Sequence, residues 1–319
     1  MISLLRHIVL AMLLVPAGVA QARDVEATRQ ADFKADRWHF SVYSGYLTGQ
    51  ATELLFDGDA KASQLNWQID KALVLGGSAS FSPLDWLTLS LGAWTGVAHS
   101  GAVDDFDWSN GYAGFESWTD WSNGRTTMPR AVQLDLNLAA RLWEHAGFRL
   151  SVLGGYKELH FKWKDYGGSF VYSHDGFRDE TGVISDDLGI TYRQDWHIPY
   201  MGLRAQYEFA RWSLSVDLTG SLFGWGSAVD HHIYRALVSP QNFRDVRMIG
   251  ASLAAEYRLA DNFSLVAKAD YQRVGEGRGS VALYGFDRES DDFGFDHCRD
   301  CAGASLEMAI FSVGLKASW

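Results

Sequence analysis

The chain has only two cysteines in 319 residues, Cys298 and Cys301, so a four-cysteine metal site is excluded. Positive charge is short as well: 28 Lys and Arg stand against 39 Asp and Glu, a formal net charge of −11. An acidic chain is a poor nucleic-acid binder, so nucleic acid is not an expected partner. After the first 22 residues there is no run of about 18 uncharged apolar residues, which excludes a helical membrane anchor. Low-complexity linkers and long sequence repeats are missing too, and nothing marks a second domain.

What is present begins with Arg6, an apolar run from Ile8 to Val15 and a small-residue exit at Ala20-Gln21-Ala22. Together these predict a cleaved secretory signal over residues 1–22, leaving 23–319 as one domain. That domain alternates. Val132, Leu134, Leu136 and Leu138 are interleaved with Gln133, Asp135 and Asn137, and Leu214, Val216 and Leu218 with Ser215, Asp217 and Thr219. Period two places the apolar set on one face of a strand, where a helix would scatter it. An exported chain whose strands are apolar on one face, with 14% aromatic residues to form interfacial girdles, predicts a membrane β-barrel. The last residues, Phe311, Val313, Leu315, Ala317 and Trp319, alternate in the same way.

Four segments read as tight turns: Ser82–Asp85, Glu144–Gly147, Ala210-Arg211 and Ala260–Asn262. Between them lie long polar, aromatic-rich stretches near 48–64, 98–128, 164–188, 222–245 and 273–305. Short periplasmic turns and longer external loops are the rule in such barrels. The expectation is therefore an all-β fold, a ten-stranded antiparallel transmembrane barrel with long extracellular loops.

Two motifs in the external stretches carry chemistry. Asp105 and Asp107, in Asp-Phe-Asp-Trp, are two apart and share a face of an extended segment. Close carboxylates do not both ionise cheaply, so one tends to hold a proton. Asp230-His231-His232 supplies a base: His232 can take a proton from water if its other ring nitrogen donates to Asp230. A water held between the two motifs, with a carboxyl proton for the developing oxyanion, is a constellation for hydrolysing a peptide bond without a covalent intermediate.

The chain resembles the omptin family of bacterial outer-membrane endopeptidases from about Leu47 to Trp319. The resemblance rests on Ser63-Gln64-Leu65-Asn66-Trp67, Asp105 to Trp108, Gly167-Gly168-Ser169, Gly176-Phe177-Arg178-Asp179, Pro199-Tyr200 and Asp230-His231-His232. It implies a ten-stranded barrel in the cell outer membrane, an active site facing outward, and Asp105, Asp107, Asp230 and His232 as catalytic residues. It also implies a substrate pocket at Glu53, Val103, Ile190 and Ala228. Glu53 would favour a basic residue before the scissile bond, less strongly than usual because Ala228 stands at the second acidic position. Outer-membrane lipid, lipopolysaccharide included, is an implied partner through Tyr156, Glu158 and His160, where His160 and Asp195 replace two arginines and weaken the site.

The expected partner is a peptide or protein substrate, with no cofactor and no metal. Cys298 and Cys301 are expected to form a local disulfide, as befits an exported protein. The alternative is a catalytically silent barrel acting as an adhesin or receptor.

Overall fold

The computed structural model describes residues 37–109, 117–287 and 292–319; the signal expected at 1–22 lies outside them. The alternating segments form ten strands: β1 (Trp38–Asp57), β2 (Ala60–Leu84), β3 (Leu87–Asp107), β4 (Asp120–His145), β5 (Phe148–Tyr172), β6 (Glu180–Phe209), β7 (Trp212–His232), β8 (Leu237–Ala260), β9 (Phe263–Asp287) and β10 (Asp292–Ser318). Each pairs antiparallel with its neighbour in sequence, and β1 pairs with β10 from His39↔Ser318 to Leu55↔Ala302, which closes the ring. Closure leaves no edge strand with unpaired backbone groups.

The tight turns fall where the sequence placed them, at 85–86, 146–147, 210–211 and 261–262. At Ala146 and Gly147 both φ values are positive, 47° and 80°, the mirror-image turn whose twist matches a right-twisted hairpin.

At the other end the expectation is corrected. Most of 48–64, 98–107, 120–128, 164–172, 180–188, 222–232, 237–245, 273–287 and 292–305 is strand, and Asp105, Asp107, Asp230 and His232 lie on strand ends. The cause is physical. Beyond the lipid the outward face has no need to be apolar, so the alternation fades while backbone pairing continues.

Large apolar side chains stand exposed on the outer wall of the turn-proximal half, among them Val42, Leu75, Leu91, Leu136, Leu203, Leu218 and Val313. Trp38, Trp86, Trp143, Trp212 and Trp319 ring the turn end. Such a surface is unfavourable in water and favourable against acyl chains and headgroups.

Inside, the two halves are divided by an aromatic layer. The Trp67 ring stacks on Tyr192 at 5.3 Å and lies 6.1 Å from Trp163, whose neighbour Phe161 is stacked at 5.4 Å; all four are fully buried. Toward the turn end the lumen is polar. Two cavities of about 140 and 340 Å³ are lined there by Asp135, Arg204, Asp217 and Lys268 among others. The charges pair: Arg204 holds Asp217 with two hydrogen bonds of 2.8 and 2.7 Å, Lys268 meets Asp270 at 2.7 Å, and Tyr200 donates to Asp135 at 2.7 Å.

Candidate active site

Above the aromatic layer, β3 and β7 bring the two motifs inward. Alternation along β3 turns Val103 and Asp105 into the barrel, at 2% and 8% exposure. Asp104 lies on the opposite face, where it accepts hydrogen bonds from Gln68 (2.9 Å) and Trp121 (3.3 Å). Asp107 follows on the inward face, with Arg235 Nη2 3.8 Å from its Oδ2. Burial, with the neighbouring Asp107 carboxyl second, pushes Asp105 up to about 7, while His232 and Arg235 pull against that rise. Asp105 is therefore far easier to protonate than an ordinary carboxyl, and burial contributes more to this than the Asp107 charge.

On β7, His232 Nε2 lies 2.7 Å from Asp230 Oδ2. This fixes the imidazole and leaves Nδ1 as its basic atom. Burial would lower the His232 pKa, but the charge and hydrogen bond of Asp230, helped by Asp105, outweigh it and raise the group above its ordinary value. Between the adjacent histidines the geometry selects His232: it is two residues from Asp230 and shares its face, whereas His231 projects from the other. Asp105, Asp230 and the His232 side chain are 8%, 4% and 13% exposed, so the expected solvent-facing loop is corrected to a shielded strand end.

Glu53, Val103, Ile190 and Ala228 are all buried, at 9% exposure or less. Gln241, cross-strand from Ala228, donates to Glu53 Oε1. Burial, with Asp230 next, pushes the Glu53 carboxyl well above the usual carboxylate range, against the opposing Gln241 bond.

Sequence reasoning missed three residues here: Gln241, Arg235 and Asp165. Asp165, 7% exposed on β5, is raised by burial to about 6. An available signal was its place in an inward series, Phe161, Trp163, Asp165, where a carboxylate is out of keeping with its aromatic neighbours.

The residues matched to lipid binding lie together on the outer wall. His160 Nδ1 is 2.7 Å from Asp195 Oδ1, Tyr156 donates to Glu158 at 3.3 Å, and Arg193 meets Asp195 at 2.9 Å. Cys298 and Cys301 are bonded to each other, within β10. Among the described residues no group of three or more His, Cys, Asp or Glu is placed to hold a metal.

A closed, lipid-facing ten-stranded barrel with carboxylates and an Asp–His pair at its outer end belongs to the class of outer-membrane barrel proteases. The Omptin family model matches residues 34–319, and the chain belongs to that family. The plasminogen activator of Yersinia pestis is 29% identical over 286 residues, covering 88% of this chain and 89% of that protein. The outer membrane protease OmpP of Escherichia coli is 28% identical over 306 residues, with 91% and 93% covered. The crystal structure of the outer membrane protease OmpT of Escherichia coli superposes with a TM-score of 0.83 at 25% identity, covering 92% of this chain and all of that one. The protein is accordingly an outer-membrane barrel of a protease family, with its site at the outer end.

Proposed function

We propose that the protein is a cell-surface endopeptidase in which His232, oriented by Asp230, removes a proton from a water molecule held between β7 and β3. The water attacks the peptide carbonyl, and Asp105 gives its proton to the developing oxyanion while Asp107 helps hold the water. As the C–N bond breaks, His232 passes its proton to the leaving amine, Asp105 takes back the proton it lent to the oxygen, and no bond to the enzyme forms. The observation that carries this reading is the 2.7 Å His232–Asp230 pair, on a wall inside the same barrel mouth as a carboxyl held near neutrality by burial.

Glu53 gives the pocket a preference for Arg or Lys before the cleaved bond. With Ala228 neutral and Gln241 occupying one carboxyl oxygen, that preference is modest. Lipid contact is assigned to the outer wall. Tyr156, Glu158 and His160 make a weak phosphate site, because Glu158 and Asp195 oppose an anion. Directly beyond them Arg130, Lys162 and Arg193 stand cross-strand in one row on β4, β5 and β6. Like charges in such register repel, Asp195 offsets Arg193, and an anion across the row would relieve the rest, which supports contact with lipid headgroup phosphates, lipopolysaccharide included.

The test is mass spectrometry of a peptide library incubated with the refolded protein in detergent. Discrete internal cleavages, enriched after Arg or Lys and absent with His232→Ala, are expected. An intact library would leave the silent barrel as the better reading.

A further inference from the structure

Cys298 and Cys301 span an irregularity of the β9–β10 ladder. Cys298 pairs with Val281 and Ala302 with Gly279, so from 298 to 302 β10 takes four steps where β9, from 281 to 279, takes two. Arg299 and Asp300, between the sulfurs, are exposed, and both cysteines are partly so. Below this bulge β10 is held on both sides, by β9 and by β1. Above it the hold is one-sided: the last β1 pair is Leu55↔Ala302 and β1 ends at Asp57, so among the described strands only β9 pairs with residues 292–298.

A bulge of two residues can be absorbed by sliding the outer segment, residues 292–298, two places along β9. A one-place slide would turn every side chain to the opposite face, whereas two places keep inward residues inward. The bridge forbids that slide. Its Cα atoms are 5.6 Å apart, while residues three apart in a straight strand are separated by about 10 Å, beyond the ~7 Å that a disulfide tolerates. Bridged sulfurs and a straight β10 therefore exclude each other. The sulfurs stand at a sequence separation of 3, and the stability gained from closing a loop falls with its length, so the barrel does not depend on the bridge.

We propose that Cys298 and Cys301 form a thiol–disulfide exchange site on the outer rim, which takes low-molecular-weight monothiols and selects between two registers of the β9–β10 hairpin. Exposed disulfides are the ones open to exchange. A thiolate attacks one sulfur of the bridge, a mixed disulfide forms and the other cysteine leaves as a thiolate. A second thiolate then attacks the small molecule's sulfur in the mixed disulfide, and the remaining cysteine leaves. Two electrons pass from the two thiols to the bridge, their two protons end on the two cysteines, and one molecule of oxidised thiol is released. In the straight register Phe295 moves from Tyr284, where the rings are 5.1 Å apart, to Phe286, and Asp300 takes the place opposite the buried Val281 that Cys298 holds in the bridged form. Nothing in this exchange depends on the endopeptidase reading.

The experiment treats the refolded protein in detergent with excess reduced glutathione, traps free cysteines by alkylation and counts them by mass spectrometry. Both cysteines should be trapped while the barrel keeps its heat-modifiable migration. Register is then read in the Cys298→Ser/Cys301→Ser protein by adding one of two cysteine pairs and comparing their oxidative cross-linking. Phe286→Cys with Phe295→Cys should cross-link in most molecules, and Tyr284→Cys with Phe295→Cys in few. Should either pair fail to fold, hydrogen exchange of oxidised and reduced wild type is compared instead, and protection should change in residues 281–287 and 292–298 while the segment below Ala302 stays as it was. A bridge that glutathione leaves closed in the folded barrel overturns the exchange site, and loss of the barrel on reduction shows a structural staple and overturns it too. An equal or higher yield for the Tyr284 pair overturns the change of register, as does hydrogen exchange that is the same in both forms.

Discussion

The lower and upper halves of the barrel both hold charge inside the ring, and they treat it differently. In the lower lumen carboxylates meet cations: Asp217 with Arg204, Asp270 with Lys268, Glu256 with Lys316 at 2.8 Å. In the upper half Glu53 Oε2, Asp105 Oδ1, Asp165 Oδ1 and Asp230 Oδ1 are buried without a protein partner, and no carboxylate oxygen of the lower lumen shares that condition among the described residues. A buried carboxyl with no cation is costly to ionise. A fold keeps such groups where a ligand or a reaction uses them. The contrast fits a lower network that serves structure and an upper one that serves the proposed reaction.

The comparison breaks most visibly at His232. His232→Ala should lower peptide cleavage by about two to four orders of magnitude while the barrel keeps its heat-modifiable migration in electrophoresis, since lower-half pairing is untouched. His231→Ala should cleave like wild type, and the reverse pattern would move the base by one residue.

The next largest effect is expected at Asp105. Asp105→Ala should reduce kcat more than it changes KM, because a group that serves the oxyanion acts mainly in the transition state. Full turnover in this variant would remove Asp105 from the reaction.

The lower half should respond in the opposite sense. Asp217→Asn leaves the Arg204 guanidinium in the lumen without its charged partner and should cost about 1.5–3 kcal/mol of stability, read as a lower midpoint of thermal unfolding in detergent. Cleavage per folded molecule should stay at the wild-type value; a loss at constant stability would show that the aromatic layer does not separate the halves.

The smallest effect is at Glu53. Glu53→Gln should flatten the preference for Arg or Lys before the bond, a change within the ~0–1 kcal/mol of a lone charge pair. A library profile equal to wild type would remove Glu53 from the pocket.

The fold was legible because lipid imposes period two on the outward face: Leu134, Leu136 and Leu138 announce β4, and the paired turns fix the strand count. Legibility ended at the membrane edge. Gly101 to Asp107 carry on the β3 ladder with carboxylates at Asp105 and Asp107 inward and Ala102, Asp104 and Phe106 on the other face, so the apolar-out pattern is lost and they read as loop. The Asp105/Asp107 and Asp230/His232 motifs were visible because each sits two residues apart on one face. Asp165 and Gln241 were not, since a single polar residue acquires its meaning only from the strands beside it, here Gly124, Gly189 and Ala228.

The pH dependence of kcat/KM for one good peptide, in wild type and Asp105→Asn, tests the central claim most directly. His232 must be neutral to act as base, and its raised pKa moves the ascending limb to higher pH than a free histidine would give. Asp105 must hold its proton, and its pKa of about 7 starts the descending limb there. The account predicts a narrow bell near neutrality whose limbs belong to the coupled groups. In Asp105→Asn, which keeps a neutral donor, the descending limb should be gone and the ascending limb kept. The same bell in both proteins would contradict the assignment of Asp105 as the group that holds the proton.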